Sequence, residues 1–432
     1  MKIAILGAGL TGLELGRRLG ELGKDFAIFE KETQVGGLCR TNKTGNYYWD
    51  FAVHAIYSRS KAAMDYFCSL PLDYQRSNRN VKIVHRGRYN KRYLIDYPFE
   101  NGVRDLPIKE KFECVLGYIA TRTRKNEPRS LQEWIDTRLG SGIAKYFMVP
   151  YNNKIWNCDL SDISKDLATS KIDPTPFTEF IKNVFWKKSI GREYQSKFIY
   201  PSKGIQVLSD YIAKNIKDKI LLSSSIEKLS KQGNRWIITT RDGSVVEADI
   251  VISTIPLAEL LKKIDISGVE KKYDELKWNN TIFVMVGLKN GAKFNLINNC
   301  HWVFFKGNEI FYRVTVMHNF SNKFLPALVA EITEKNNVLD KTDDEIKNAV
   351  VQDLFRGGIL ESLSEIVELD IKRLKYTYAI PTIGLKDIKR TIKDLLEKHN
   401  LFLLGRNGNW DYLNMDGVFL SVKEFISSKF IL

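Results

Sequence analysis

Lys2-Ile3-Ala4-Ile5-Leu6-Gly7-Ala8-Gly9-Leu10-Thr11-Gly12 stands at the head of the chain, and a second apolar run, Asp25-Phe26-Ala27-Ile28-Phe29, ends in Glu30. Residues 2–6 are nearly all apolar, as a strand buried on both faces of a parallel sheet requires. Leu13, Leu15 and Leu19 then continue a helical pattern as far as Gly23. The glycine spacing has a mechanical reading: Gly7 permits the tight turn, Gly9 lets backbone approach a pyrophosphate, and Gly12 lets helix pack on strand. The phosphates meet the positive end of the helix, and Glu30 stands where a ribose hydroxyl is accepted. A glycine-rich turn alone predicts only a loop. Strand, glycines, helix, strand and acid in register predict an α/β, Rossmann-like dinucleotide-binding unit.

Gln34-Val35-Gly36-Gly37-Leu38 follows the acid directly. It resembles the second glycine pair of the large flavoprotein family that includes amine oxidases, phytoene desaturases and UDP-galactopyranose mutases, where the pair lies near the flavin's diphosphate arm. The resemblance implies FAD, on Gly7, Gly9, Gly12, Glu30, Gly36, Gly37 and Leu38.

Composition narrows the class without choosing the function. A chain of 432 residues, 44% hydrophobic and 12% aromatic, buries a large core in more than one substructure and is not mainly disordered. Lys+Arg minus Asp+Glu is 66 − 51 = +15, which favours anionic partners of any size. The five cysteines are scattered with no CxxC, and the histidines form no HxxxH pair, so neither a disulfide scaffold nor a metal site is expected. No apolar run approaches the ~18 residues of a membrane span, and the early glycines and arginines interrupt any signal-like stretch; a soluble, cytoplasmic protein is expected. No nucleic-acid motif or basic–aromatic stripe is present.

Further along, Lys109–Arg122, Leu131–Arg138, Gly142–Met148 and Phe177–Phe185 carry helical spacing. Trp236–Thr240, Asp242-Gly243 and Val245-Val246 read as a hairpin, and Ala248–Ile255 as another buried strand. Strands are expected at Thr281–Val286, His301–Phe305, Glu309–Thr315 and Ala327–Ile332, with a last buried strand at Asn400–Arg406 and a helix after it. The expected organisation is a discontinuous FAD-binding domain (1–95, 200–262, 395–432), a mainly helical substrate or gating domain (100–198), and an antiparallel-sheet substrate domain (263–394).

Several segments, in order, resemble UDP-galactopyranose mutase over most of the chain. They are Asp50…His54-Ala55-Ile56-Tyr57-Ser58; Tyr97-Pro98-Phe99-Glu100-Asn101; Phe147-Met148…Pro150-Tyr151-Asn152…Lys154…Trp156; Trp302…Phe304; Phe311-Tyr312-Arg313-Val314-Thr315; and Glu331. Gly405-Arg406-Asn407-Gly408-Asn409-Trp410 is similar to the eukaryotic type, and Tyr412-Leu413-Asn414-Met415-Asp416 to the prokaryotic one. The resemblance implies interconversion of UDP-galactopyranose and UDP-galactofuranose through a covalent adduct of the sugar with N5 of reduced FAD, with no net redox change, in the supply of cell-surface glycans. NADPH or another reductant would keep the flavin reduced. By the same resemblance Tyr97, Phe147, Met148, Asn152, Trp156, Trp302 and Tyr378 face the nucleotide-sugar, Arg313 and Tyr412 grip its diphosphate, and His54 lies near the flavin. Gly405, Arg406, Asn414 and Met415 fall beside the flavin. A planar guanidinium suits a diphosphate better than lysine does, although apolar residues such as Phe147 and Met148 are ordinary core residues in most helices.

The chain also departs from that pattern. Ala52-Val53 replaces two glycines before the histidine, and Phe304 stands where a phosphate-binding tyrosine is usual. Ile380 takes the place of a tyrosine before Pro381. A second phosphate-gripping arginine has no clear match, Lys171 and Arg192 being the candidates. Two rivals stand beside the mutase: an FAD-dependent amine oxidase or desaturase, which needs no diphosphate grip and places Arg313 far from the flavin, and a non-enzymatic polyanion-binding protein. The preferred nucleotide-sugar and any homo-oligomer stay open.

Overall fold

The computed structural model describes residues 1–430 apart from 88–90, 125, 172–174, 186–196, 293, 295, 296, 298, 336 and 337, and describes only the backbone of 170, 171 and 270. Strand β1 (Lys2–Leu6), helix α1 (Leu10–Glu21) and strand β2 (Asp25–Phe29) form where the apolar runs and glycines place them. β1 sits in the middle of a five-stranded parallel sheet, with β2 and then Ile220–Leu221 on one side, Ile250–Ser253 and then Leu401–Leu403 on the other. Ile3, Ile5 and Leu6 are wholly buried, which is why this strand carries no polar alternation. The expected hairpin pairs Arg235–Thr240 with Val245–Ala248 in a three-stranded antiparallel sheet beside it.

The second large sheet has seven strands in the order Ile366–Ala379, Trp278–Leu288, Ala327–Thr333, Arg313–Val316, Trp302–Phe305, Val81–Arg86, Arg92–Asp96. It is mixed, where an antiparallel sheet was expected: Trp302–Phe305 runs parallel to Val81–Arg86. Side-chain alternation reports which face a strand buries and says nothing about the direction of its neighbour. The boundary drawn at residue 95 also cuts across this sheet, because Val81–Arg86 and Arg92–Asp96 hydrogen-bond within it and not to the β1 sheet. Trp49, Tyr200 and Phe283 are buried in one core together with Ile3 and Ile5 of β1.

Helices occupy the segment between the strands at 92–96 and 197–201, including Ile108–Ala120, Leu131–Arg138 and Phe177–Phe185. The single helix expected at Gly142–Met148 is instead a short α-turn, Gly140–Ile143, and a π-turn, Ala144–Met148, running into Val149–Ile155. Pro150 accounts for the change: it has no amide hydrogen, and its ring crowds the carbonyl four residues back. No helix among the described residues is long and apolar enough to cross a membrane.

Candidate active site

One pocket lies where the two large sheets meet, and its wall on the β1 side is backbone. Gly9 stands at the cap of α1 with no side chain to bond the helix start, and the first turn holds no acid, so the leading amides are left for an anion. The Gly36 amide donates to the Ala8 carbonyl (2.8 Å), which draws the second glycine pair against the first. A Cβ on Gly37 would stand 3.1 Å from the Gly9 Cα, and one on Gly12 only 2.0 Å from the Gly7 oxygen. Gly9, Gly36, Gly37 and Leu38 line the pocket, while Gly7 and Gly12 shape the turn behind it. Glu30 also stands behind: its carboxylate accepts the Ala8 amide (2.7 Å) and the Glu32 amide (3.0 Å). Gly405 is not in the wall either, since it presses on Thr11, 2.2 Å from where its Cβ would be.

The opposite wall is made of side chains. Arg313 leads its strand and donates through Nε to Glu331 Oε1 (2.7 Å) and through Nη2 to Oε2 (2.5 Å). Glu331 is fully buried and also accepts from Tyr312 (3.1 Å) and Thr315 (3.3 Å). Burial opposes the charge on Arg313 most strongly, but Glu331, Tyr378 and Tyr312 outweigh it and keep the guanidinium ionised. Nη2 also reaches the Tyr378 hydroxyl (3.3 Å). Tyr378 stacks on Tyr412 (5.6 Å, 12°), and Arg406 lies over the Tyr412 ring (4.4 Å) while donating to the Leu413 carbonyl (2.7 Å). Burial pushes the Tyr412 phenol up to about 12, so it stays a donor at neutral pH.

His54 joins the two walls. Its Nδ1 is buried with no hydrogen-bond partner among the described residues, and burial first, then Arg406 and Arg313, push its pKa down to about 3. Just upstream, Asp50 is wholly buried, accepts from Thr41 (2.6 Å) and Tyr200 (2.5 Å), and is raised by burial to about 7. Ala52 adopts φ 43°, a left-handed conformation that costs an alanine strain a glycine escapes. The departure noted in the sequence therefore has a backbone cost, and both Ala52 and Val53 line the pocket.

Of the residues expected on the substrate, Trp302, Arg313, Tyr378 and Tyr412 line the pocket; Asn414, Met415 and Arg406 line it too. Tyr97 stands one layer back, edge-on to Phe304 (5.1 Å). Phe147 is stacked between Phe99 (5.1 Å) and Tyr151 (4.9 Å), so it is a core ring, and Met148 beside it is buried. Asn152 spends its amide on the Met148 carbonyl (2.7 Å) and its oxygen on Trp156 Nε1 (3.0 Å). Arg192 lies outside the described residues; Lys171 closes the helix Asp166–Lys171, and its side chain lies outside the description. Sequence reasoning missed Arg79, Cys39 and Thr377, all pocket-lining, and gave Glu331 no role. A carboxylate two positions from the end of an apolar strand (Ala327–Thr333) was the available signal for Glu331. Arg79 carried none.

The residues fit a flavin dinucleotide: an uncapped helix start, a glycine cradle that a Cβ would fill, and two pocket-lining side chains, His54 and Trp302, each with a buried nitrogen that finds no partner among the described residues.

The signature of the family described as flavin containing amine oxidoreductase matches residues 10–356. The candidate flavin-containing monoamine oxidase AofH of Mycobacterium tuberculosis is 22% identical over 273 residues, spanning 59% of this chain and 57% of that relative's length. A 4,4'-diapophytoene desaturase of Staphylococcus aureus is 44% identical over 50 residues, 12% of this chain and 10% of its own. Among solved structures, reduced UDP-galactopyranose mutase superposes with a TM-score of 0.89 at 24% identity, covering 99% of this chain and 95% of that one. Putrescine oxidase bound to putrescine gives 0.71 at 14% identity, covering 99% of each chain. Likenesses at such identities establish the shared fold.

Proposed function

The chain belongs to the flavin-containing amine oxidoreductase family and carries FAD, and from that premise we propose that it is a UDP-galactopyranose mutase-like isomerase acting on UDP-galactose or a related nucleotide-sugar. One observation carries the reading: Arg313 lines the same pocket as Gly9 and Gly37. That pocket holds the guanidinium groups of Arg79, Arg313 and Arg406, and no carboxylate among its lining residues. An amine substrate is a cation and would be repelled there, whereas a diphosphate is drawn in.

Reduced FAD, when bound, supplies a nucleophilic ring nitrogen for exchange at an anomeric carbon. The chain's own residues supply the rest. Arg313, steadied by Glu331, and the Tyr412 hydroxyl are the groups that would stabilise a departing diphosphate. His54 stays neutral, so its free ring nitrogen can hold a substrate or cofactor hydroxyl without adding charge. Trp302 and Phe304, both buried, keep water from an opened sugar. Burial lifts the Cys39 thiol to about 12, which removes it as a competing nucleophile.

The test is anaerobic incubation with UDP-galactose, with and without dithionite. Ring contraction only when the flavin is reduced is the expected result; oxygen uptake with an amine or desaturation of a lipid, and no isomerisation, would sink the proposal. Arg313→Ala should lower kcat/KM about 10- to 100-fold with FAD content near normal.

A further inference from the structure

Arg313 meets an anion only where its backbone puts it, and that backbone follows a turn outside the strand ladder. Residues 306–311 link the strands Trp302–Phe305 and Arg313–Val316. Glu309 and Phe311 are buried, so their carbonyls need partners inside the protein. One side chain serves both: the Lys154 ammonium donates to the Glu309 carbonyl (2.6 Å) and to the Phe311 carbonyl (2.7 Å). Between them the Ile310 amide donates to Asp353 (2.7 Å), and the Tyr312 amide then joins the Glu331 carbonyl (3.0 Å). The residues leading into Arg313 are thus held one after another by groups from the helix Val149–Ile155, the helix Asp343–Arg356 and the strand Ala327–Thr333.

Lys154 stands in the last turn of Val149–Ile155, and that helix end is itself fastened to the seven-stranded sheet. Lys335 donates to the carbonyls of Asn153 and Trp156 (2.7 Å for the latter), and Asn279 and Thr333 both donate to the Ile155 carbonyl (2.7 Å each). These donors satisfy carbonyls that a helix end leaves open. Thr333 shares a strand with Glu331, so one helix end reaches the backbone beside both members of the Arg313–Glu331 pair. The same helix packs on the pocket wall: Tyr151 stacks on Phe304 (5.1 Å, 21°), and Trp156, which caps the helix, stands edge-on to Tyr378 (6.0 Å, 81°).

The Glu309 and Asp353 carboxylates and the Lys335 ammonium act on Lys154, and Arg86 holds Glu309 (3.1 Å). Burial, the largest cause, lowers the Lys154 pKa to about 8; Glu309 and Asp353 oppose it, and Lys335 adds to it. The group is therefore charged at neutral pH, and its bonds are charge-assisted, roughly twice as strong as neutral ones.

We infer that Lys154 is a positioning residue, which fixes the backbone of 309–311 from the helical segment and so sets where the Arg313 guanidinium meets an anion. The inference rests on the nucleotide-sugar reading above. Lys154 does not itself line the pocket, so the helical segment takes part in anion binding through the backbone alone.

The test measures binding of UDP and of uridine to the FAD-loaded protein by titration calorimetry. Lys154→Met should weaken UDP about tenfold, the low end for a lost charge-assisted bond, and leave uridine within about threefold, with flavin absorbance retained. In an Arg313→Ala background the same substitution should change UDP affinity less than about twofold, because it acts through Arg313. Raising the pH from about 7 to about 9 should weaken UDP severalfold in the parent, as the ammonium loses its proton, and leave Lys154→Met flat. A merely structural role would lower the melting temperature and move neither the double-mutant comparison nor the pH profile. The inference is overturned if Lys154→Met binds UDP like the parent, if UDP and uridine weaken equally, if the losses from Lys154→Met and Arg313→Ala simply add, or if parent and variant share one pH slope. Should Lys154→Met fail to fold, Lys154→Gln, which keeps N–H donors without the charge, carries the same comparisons. A parent protein that binds no UDP at all would overturn the nucleotide-sugar reading itself, and this inference with it; UDP bound equally by parent and variant would overturn this inference alone.

Discussion

The two walls of the pocket are made in opposite ways. The glycine wall offers amides and close backbone approach, and each of its parts lies within residues 7–38. The arginine wall offers side chains carried on strands at 302–305, 313–316 and 366–379, each made competent by a partner from elsewhere in the chain. A backbone site is set by sterics and fails by clash; a side-chain site is set by charge balance and fails by losing a counter-charge. The first wall suits a cofactor held permanently, the second a ligand that enters and leaves.

Variants of each wall should therefore fail differently. The largest effect is expected from Gly12→Ala, whose Cβ would meet the Gly7 oxygen at 2.0 Å. The turn has no room to relax, a cost on the order of 4 kcal/mol, and the purified protein should lack flavin absorbance. Next comes Glu331→Gln, which leaves Arg313 buried without its counter-charge. Thermal unfolding should show a loss of about 3 kcal/mol or more, with FAD still bound to whatever folds. Retained stability there would mean that the wall does not depend on this pair.

Acid should act through the histidines. Burial, as the largest cause, lowers His54 to about 3 and His85 and His301 to about 4, against an ordinary value of 6.5. Unfolding restores that value, so the folded state is fully favoured above about pH 6.5 and loses stability as pH falls through the folded values. Each such proton contributes a slope of about 1.4 kcal/mol per pH unit. His301→Gln should flatten a plot of melting temperature against pH between about 6.5 and 4; an unchanged slope would show that His301 does not titrate this way. The smallest effect is expected at Ala52, where the φ of 43° is relieved by glycine. Ala52→Gly should gain about 1 kcal/mol, the strain released less the added chain entropy.

The sequence made the glycine wall readable because β1, α1 and β2 are consecutive and each carries its own period. It also placed Arg313, Tyr412 and Trp302 in one site, through ordered resemblance and not through any local pattern. What stayed hidden depends on pairing across hundreds of residues. Ile366–Ala379 was not anticipated as a strand: Glu368, Asp370, Lys372 and Arg373 break the alternation of an edge strand that is mostly half-exposed. Arg79 reaches the pocket only because Val81 pairs with Trp302, a register no single segment encodes. Phe147 was misleading for the opposite reason: an aromatic on a helix gives the same signal whether it meets a ligand or, as here, the rings of Phe99 and Tyr151.

The parallel sheet around β1 has a consequence for biosynthesis. β2 ends at Phe29 and the outermost strand begins at Leu401, 401 − 29 = 372 residues later. At roughly 5–20 residues per second a ribosome needs about 20–75 s to cover that distance. Throughout that interval the sheet lacks the Leu401–Leu403 strand that pairs with Ile250–Ser253, and the pocket lacks Arg406, Asn414 and Met415, so prosthetic-group loading must wait for this last part of the sheet. Expression yield should thus respond to chaperone supply and to elongation speed more than to flavin added early.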